Sequence, residues 1–139
     1  MEKLIFSQFE TELFVRPDDI DMNSHVHNSK YFDYVLAARY DQMERCYNMG
    51  MEEFIKMGFG WVVRLAHVEY KRSLGLGDKM LVRTRIAELY VDGVRVEFEI
   101  LKKSTRKISC NGYFDYTLIY LESGRAAAIP DEIRKKYSV

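Results

Sequence analysis

The chain has 139 residues, 47% hydrophobic and 14% aromatic, which suits one ordinary domain with a real core and excludes a disordered chain. Its 21 basic and 21 acidic residues cancel. A general attraction to nucleic acid or an anionic membrane is therefore not implied, and any anionic ligand must be held by a local cluster.

Taken in order, the first ten residues, Met1 to Glu10, lack the long apolar run of a signal peptide. No stretch approaches the ~20 apolar residues of a membrane span. Cys46 and Cys110 are far apart and in no metal-binding spacing, so they read as reduced and buried. These features together predict a soluble, cytoplasmic protein made of a single domain, residues 1–139.

Phe9 to Arg16 alternate as a strand with one wet face. Pro17 ends it, and a polar loop, Asp18 to His27, follows. Asn28 or Ser29 is placed to cap the next helix, because a short side-chain oxygen satisfies first-turn amides. That helix is predicted over about Ser29 to Asn48. At roughly 100° per residue, Lys30, Asp33, Ala37, Asp41, Glu44 and Arg45 share a wet side. Phe32, Val35, Leu36, Met43, Cys46 and Tyr47 fill the dry side, with Arg39 in its middle. Arg39 is expected to be buried against an acid or carbonyls, with a snorkelling head as the alternative.

A short helical piece, Met51 to Met57, lies between glycines. From Trp61 the period changes to two. Strands are predicted over Trp61 to Ser73, Lys79 to Tyr90, Val94 to Lys103 and Ile108 to Leu121. Asp92-Gly93 marks the hairpin between the middle pair. Arg125 to Ile129 is expected to add a short edge strand, and Asp131 to Tyr137 a last helix after Pro130. One strand, one long helix and a meander of strands imply an α+β fold, a curved antiparallel sheet wrapped around the helix. Such a sheet leaves open edges, so a homodimer or homotetramer is expected.

The functional signal is concentrated in Asp19 to Asn28, which holds two carboxylates, two histidines and asparagine beside a segment built for burial. A metal held by Asp19, Asp21, His25 and His27 is one reading. Against it, alternate residues of an extended chain point opposite ways and no helical ligand pair is present. No serine elbow, nucleotide-binding glycine loop or cofactor motif occurs. A carboxylate acting just before a helix N-terminus fits better. The helix amides polarise a carbonyl and stabilise the oxyanion formed from it, while the carboxylate attacks or activates water. Asp21, seven residues before Asn28, has the spacing for that.

The run Asp21-Met-Asn-Ser-His-Val-His-Asn-Ser-Lys-Tyr-Phe-Asp-Tyr-Val-Leu-Ala-Ala-Arg39 resembles the signature of hotdog-fold acyl-CoA thioesterases of the 4-hydroxybenzoyl-CoA thioesterase type. That signature is approximately Asp-x-x-Gly-His-Val-x-Asn-x-x-Tyr-x-x-Tyr-x-Glu-x-Ala-Arg. The resemblance implies a catalytic Asp21, with His25 as the loop histidine and the Asn28 N–H on the thioester carbonyl. It implies an acyl-CoA or acyl-carrier-protein substrate and no cofactor. Ser24 stands for the usual glycine, His27 for a common asparagine and Leu36 for a frequent glutamate. A hydratase is disfavoured by the missing helix carboxylate, while a non-catalytic acyl-thioester binding module remains as an alternative. Tyr31, Tyr34 and Trp61 are candidates to line an acyl tunnel, with Met43 and the strand Tyr113 to Tyr120. Lys71-Arg72 and Lys102-Lys103 are candidates to hold the CoA phosphates.

Overall fold

Period-two alternation becomes five strands: β1 (Gln8–Phe14), β2 (Phe59–Tyr70), β3 (Lys79–Leu89), β4 (Gly93–Lys102) and β5 (Ile108–Tyr120). They belong to a computed structural model that describes residues 6–139. The reading of Met1 to Glu10 therefore falls partly outside the described residues. Every pairing is antiparallel, and the strands lie in the order β1-β3-β4-β5-β2. The fold is the α+β hotdog arrangement that the sequence implies.

The long helix, α1 (Tyr31–Arg45), lies between β1 and β2 in sequence. Two short helices, α2 (Met51–Lys56) and α3 (Asp131–Tyr137), close one end. The wet side of α1 is as expected at Asp33, Ala37, Glu44 and Arg45, which are exposed. The dry side is rotated. Val35, Met43 and Tyr47 are buried, but so are Tyr31, Tyr34, Ala38 and Gln42, whereas Phe32, Leu36 and Cys46 are only half-buried.

The core falls into two clusters along the helix. One gathers Tyr31, Tyr34, Val35, Phe98 and Phe114, and the other Met43, Tyr47, Phe54, Leu118 and Tyr137. Each fully buried large side chain contributes about 1.5–3 kcal/mol relative to exposure. The sheet closes tightly over them. A Cβ at Gly112 would stand 1.8 Å from the His67 carbonyl oxygen, so glycine is required where β5 meets β2.

Two expectations need correction. Arg125 to Ile129 makes only an isolated bridge, Ile119 to Ala126, because β5 already has a neighbour on each side. The helix is capped differently too. His27 Nδ1 accepts the Ser29 N–H at 3.2 Å, and Asn28–Lys30 form a 3₁₀ turn leading into α1. Both cysteines are free, Cys110 buried and Cys46 half-buried. Among the described residues, no helix is long and apolar enough to cross a membrane.

Candidate active site

The loop between β1 and α1 folds into a tight turn. Ile20 bridges Val26, the Asp21 N–H donates to the His25 carbonyl at 2.9 Å, and the His27 N–H to the Asp19 carbonyl at 2.9 Å. The turn is pinned from beneath. Asp19 is 8% exposed and accepts the Tyr34 hydroxyl at 2.6 Å, while the same hydroxyl accepts the Arg16 N–H at 3.1 Å. Burial, then the adjacent Asp19 carboxylate, pushes the Tyr34 phenol up to about 12. At the tip, Ser24 adopts φ 62°, a left-handed conformation that favours glycine. The missing glycine of the family signature thus leaves a strained serine in an otherwise closed turn.

Within this frame the Asp21 carboxylate is held asymmetrically. Its Oδ1 accepts the Asn23 N–H at 2.9 Å and the His25 N–H at 3.4 Å. Its Oδ2 has no partner among the described residues, and the residue is only half-buried. One oxygen is tethered and the other is available for chemistry. The His25 ring is exposed at the rim of the turn. The Asn28 N–H, at the start of the 3₁₀ turn, donates to no backbone group among the described residues. The Asn28 carbonyl accepts the Tyr70 hydroxyl at 3.0 Å, which ties the helix start to the end of β2. An anchored helix start with an open amide and a loop carboxylate with a free oxygen form a setting for attack on a carbonyl. Among the described residues, no three His, Cys, Asp or Glu side chains converge as a metal site.

The remaining candidates are spread out. The Tyr31 hydroxyl accepts the Leu74 N–H at 3.1 Å, and its ring packs edge-on against Tyr70. Tyr31 and Tyr34 are therefore buried supports of the loop. Trp61 stands elsewhere, on the wall of an apolar cavity of about 370 Å³ between the sheet and the C-terminal half of α1. Leu36, Tyr40, Met43, Val63 and Tyr116 share that wall, and Asp21 is not part of it. Lys102 pairs with Asp78 at 3.6 Å, and Lys103 with Glu12. Lys71 and Arg72 are exposed at the end of β2, two strand positions or fewer beyond Tyr70, and pair with no carboxylate among the described residues.

Sequence reasoning missed the polar chain beneath the cavity. Arg39, 6% exposed, donates from Nη1 to Thr84 Oγ1 at 3.1 Å and to the Tyr47 hydroxyl at 3.5 Å. Thr84 donates on to Gln42 Oε1. Gln42 Nε2 donates to Thr11 Oγ1 at 3.0 Å, and Thr11 to Asp41 Oδ2 at 2.7 Å. The helical arc signalled Arg39, but Gln42 and Thr84 carry no pattern that announces them. Arg39 is buried as expected, yet its partners are neutral. No acid among the described residues pairs with it.

Comparison with known proteins identifies the family and the fold. The model of the family described as Thioesterase-like superfamily matches residues 15–137. The long-chain acyl-CoA thioesterase FadM of Escherichia coli (strain K12) is 21% identical over 127 residues, covering 91% of this chain and 95% of the relative. The DHNA-CoA thioesterase of Staphylococcus aureus superposes with a TM-score of 0.88 at 18% identity, covering 94% of this chain and 89% of its own. A second Staphylococcus aureus protein, solved in complex with CoA, gives a TM-score of 0.84 at 17% identity, covering 98% of this chain and 85% of its own.

Proposed function

The chain belongs to the thioesterase-like superfamily, and from that premise we propose that it hydrolyses an acyl-CoA thioester to the free acid and thiol, with Asp21 as the acting carboxylate. The observation that carries this reading is the state of Asp21, with Oδ1 fixed by two backbone amides and Oδ2 free. The thioester carbonyl sits on the Asn28 N–H, where the helix dipole favours the charge that builds on oxygen. Oδ2 then attacks the carbonyl carbon or draws a proton from an attacking water. The thiolate leaves and is protonated from solvent; where Oδ2 has attacked, water then hydrolyses the acyl-Asp21 anhydride to the free acid and restores the carboxylate. His25, at the rim, orients the substrate.

The site is completed by a second copy of the chain. β1 is an edge that its own side chains close off: Arg45 reaches across to the Glu10 carbonyl at 2.8 Å, and Glu10 and Glu12 carry ion pairs. β2 is the long open edge, with Leu65 46% and Tyr70 49% exposed. An isologous pairing of β2 with its copy runs antiparallel and exchanges its ends. The Tyr70 end, tied to Asn28, then lies beside the partner's Trp61 end, where the cavity opens. Each active loop thereby faces the cavity of the other chain. Lys71 and Arg72, unpaired beside the same end of β2, meet the phosphates of CoA better than Lys102 and Lys103, whose charge is already met by Asp78 and Glu12.

A panel of acyl-CoA thioesters of graded length, aliphatic and aryl, tests this by release of free thiol. Hydrolysis that stops with Asp21→Asn, and a KM for acyl-CoA that rises with ionic strength while kcat holds, are the expected results. Hydrolysis of carrier-protein thioesters alone would move the substrate class. Saturable binding without turnover of any thioester would leave only a binding module.

A further inference from the structure

The cavity behind Trp61 is not uniformly apolar, for two arginines reach its wall: Arg134 is half-buried and gives Nη2 to the Tyr90 and Val91 carbonyls, whereas Arg39 is buried with no opposite charge among the described residues. Arg39 lies on the cavity wall, 94% buried by difference from its 6% exposure. Its Nη1 is engaged by Thr84 and Tyr47, and its carbon Cζ stands 5.2 Å from the centre of the Tyr47 ring. Nε and Nη2 have no partner among the described residues. On the same wall the Tyr116 hydroxyl is sealed from solvent and also has no partner. A guanidinium at such a depth normally meets a carboxylate, and an unmet one is costly. Here the chain from Arg39 through Thr84, Gln42 and Thr11 to Asp41 fixes the group in place with neutral dipoles and leaves its other donors open.

We propose that the acyl group this cavity takes ends in a carboxylate, with Arg39 as its counter-charge and Tyr116 beside it. The inference rests on the thioesterase reading and names its substrate class: an acyl-CoA made from a dicarboxylic acid. The two ends of such a chain match the two ends of the site, the thioester at the partner's Asp21 loop and the free acid at Arg39. An unsubstituted alkyl chain fits worse. It would strip water from the guanidinium and put methylene in its place, losing hydrogen bonds that a carboxylate would replace. Size agrees with a medium chain. A 150 Å³ cavity accepts benzene, so the cavity of about 370 Å³ holds on the order of 15 non-hydrogen atoms. A suberoyl group, with eleven, fits.

The test compares kcat/KM for suberoyl-CoA and octanoyl-CoA, which share chain length and thioester, and for 8-hydroxyoctanoyl-CoA, which is oxygenated but neutral. The expected preference for suberoyl over octanoyl is roughly ten- to hundred-fold, the value of a charged hydrogen bond. Arg39→Met should erase it. In case that variant does not fold, Leu36→Glu serves as well. It places a carboxylate on the cavity wall three residues before Arg39, within reach of it on the helix, and should lower the preference for suberoyl at least tenfold; an unchanged preference in the folded variant would overturn the proposal. Calorimetry of free suberate against octanoate reads the same preference without catalysis. Faster turnover of octanoyl- or 8-hydroxyoctanoyl-CoA by the wild type, or suberate binding no tighter than octanoate, would overturn this proposal and leave the thioesterase standing. Hydrolysis of none of the three, with suberate still preferred in binding, would instead strike the thioesterase reading alone.

Discussion

Replacing Asp21 by Asn separates chemistry from structure more cleanly than any other change in the loop. The asparagine carbonyl can keep both bonds that Oδ1 makes, to the Asn23 N–H at 2.9 Å and the His25 N–H at 3.4 Å. What disappears is the negative charge and the free Oδ2. A charge-assisted bond exceeds a neutral one by about 1 kcal/mol, and the half-buried position reduces that further. A domain of this size shifts its Tm by roughly 2–6 °C per kcal/mol, so the melt should move by ~3 °C or less. Turnover should fall roughly a thousand-fold, about 4 kcal/mol of transition-state stabilisation at 1.36 kcal/mol per decade. The assay is thiol release at saturating acyl-CoA, paired with a circular-dichroism melt of the same preparation. Asp18→Asn is the control, since Asp18 is exposed and pairs only with the exposed Arg16. Turnover of the Asp21 variant within tenfold of wild type, with the melt unchanged, would refute the role given to this carboxylate.

Three further outcomes follow from the geometry. Ser24→Gly should stabilise the protein by ~0.5 kcal/mol in urea unfolding, because relief of the left-handed backbone at φ 62° outweighs the entropy of glycine, whereas Ser24→Val should cost more than 1 kcal/mol. Gly112→Ala should yield insoluble or unfolded protein, since its Cβ has only 1.8 Å to the His67 oxygen; soluble protein with a native melt would contradict the β2–β5 register. Stability should decline from about pH 9 upward. Burial raises the Cys110 thiol from 9.0 to about 12, and burial with Asp19 raises the Tyr34 phenol from 10.0 to about 12. Both groups hold their proton more tightly when folded, so their contribution is complete below the unfolded values and is lost as pH climbs toward 12. A melting temperature flat between pH 8 and pH 11 would contradict this.

The five long strands were legible because a sheet with one wet face writes its period directly into the chain, and each of them was predicted within three residues of its observed ends. The hairpin after Leu89 was read correctly on partly different grounds. Gly93 has no positive φ; it is needed because a Cβ would come within 2.2 Å of the Tyr116 carbonyl oxygen. The helix was harder. Phe32 and Leu36 are as apolar as core residues yet only half-buried, while Gln42, fully buried, looks like a surface residue. Hydrophobicity alone cannot tell a face turned to a core from one turned to a cavity mouth, nor announce a polar group whose partners come from β1 and β3. The loop stood out as a candidate site because its acids and histidines are local in sequence. The cavity was not, because α1, α2, β2, β4, β5 and α3 each supply part of its wall.

The departure from the family signature at Leu36 gains a physical sense once Arg39 is placed. In that signature a helix glutamate stands at the position of Leu36, three residues before the arginine and within reach of it on the same face. There the two charges can satisfy each other. Here Leu36 sits on the cavity wall beside an arginine with no acid partner among the described residues. Losing the internal acid removes a competitor for the guanidinium, and the hydrogen-bonded chain to Asp41 keeps the charge from collapsing toward the surface. Asp41 itself stays ionised for a reason on the far side, because Arg45 at 3.0 Å holds its carboxyl below the usual range. A fold in need only of packing at position 39 would be served at lower cost by methionine, which is the physical ground for proposing Arg39 as a binding group. On the dicarboxylate proposal, the leucine that stands in place of a second carboxylate leaves the Arg39 charge open for the substrate to meet.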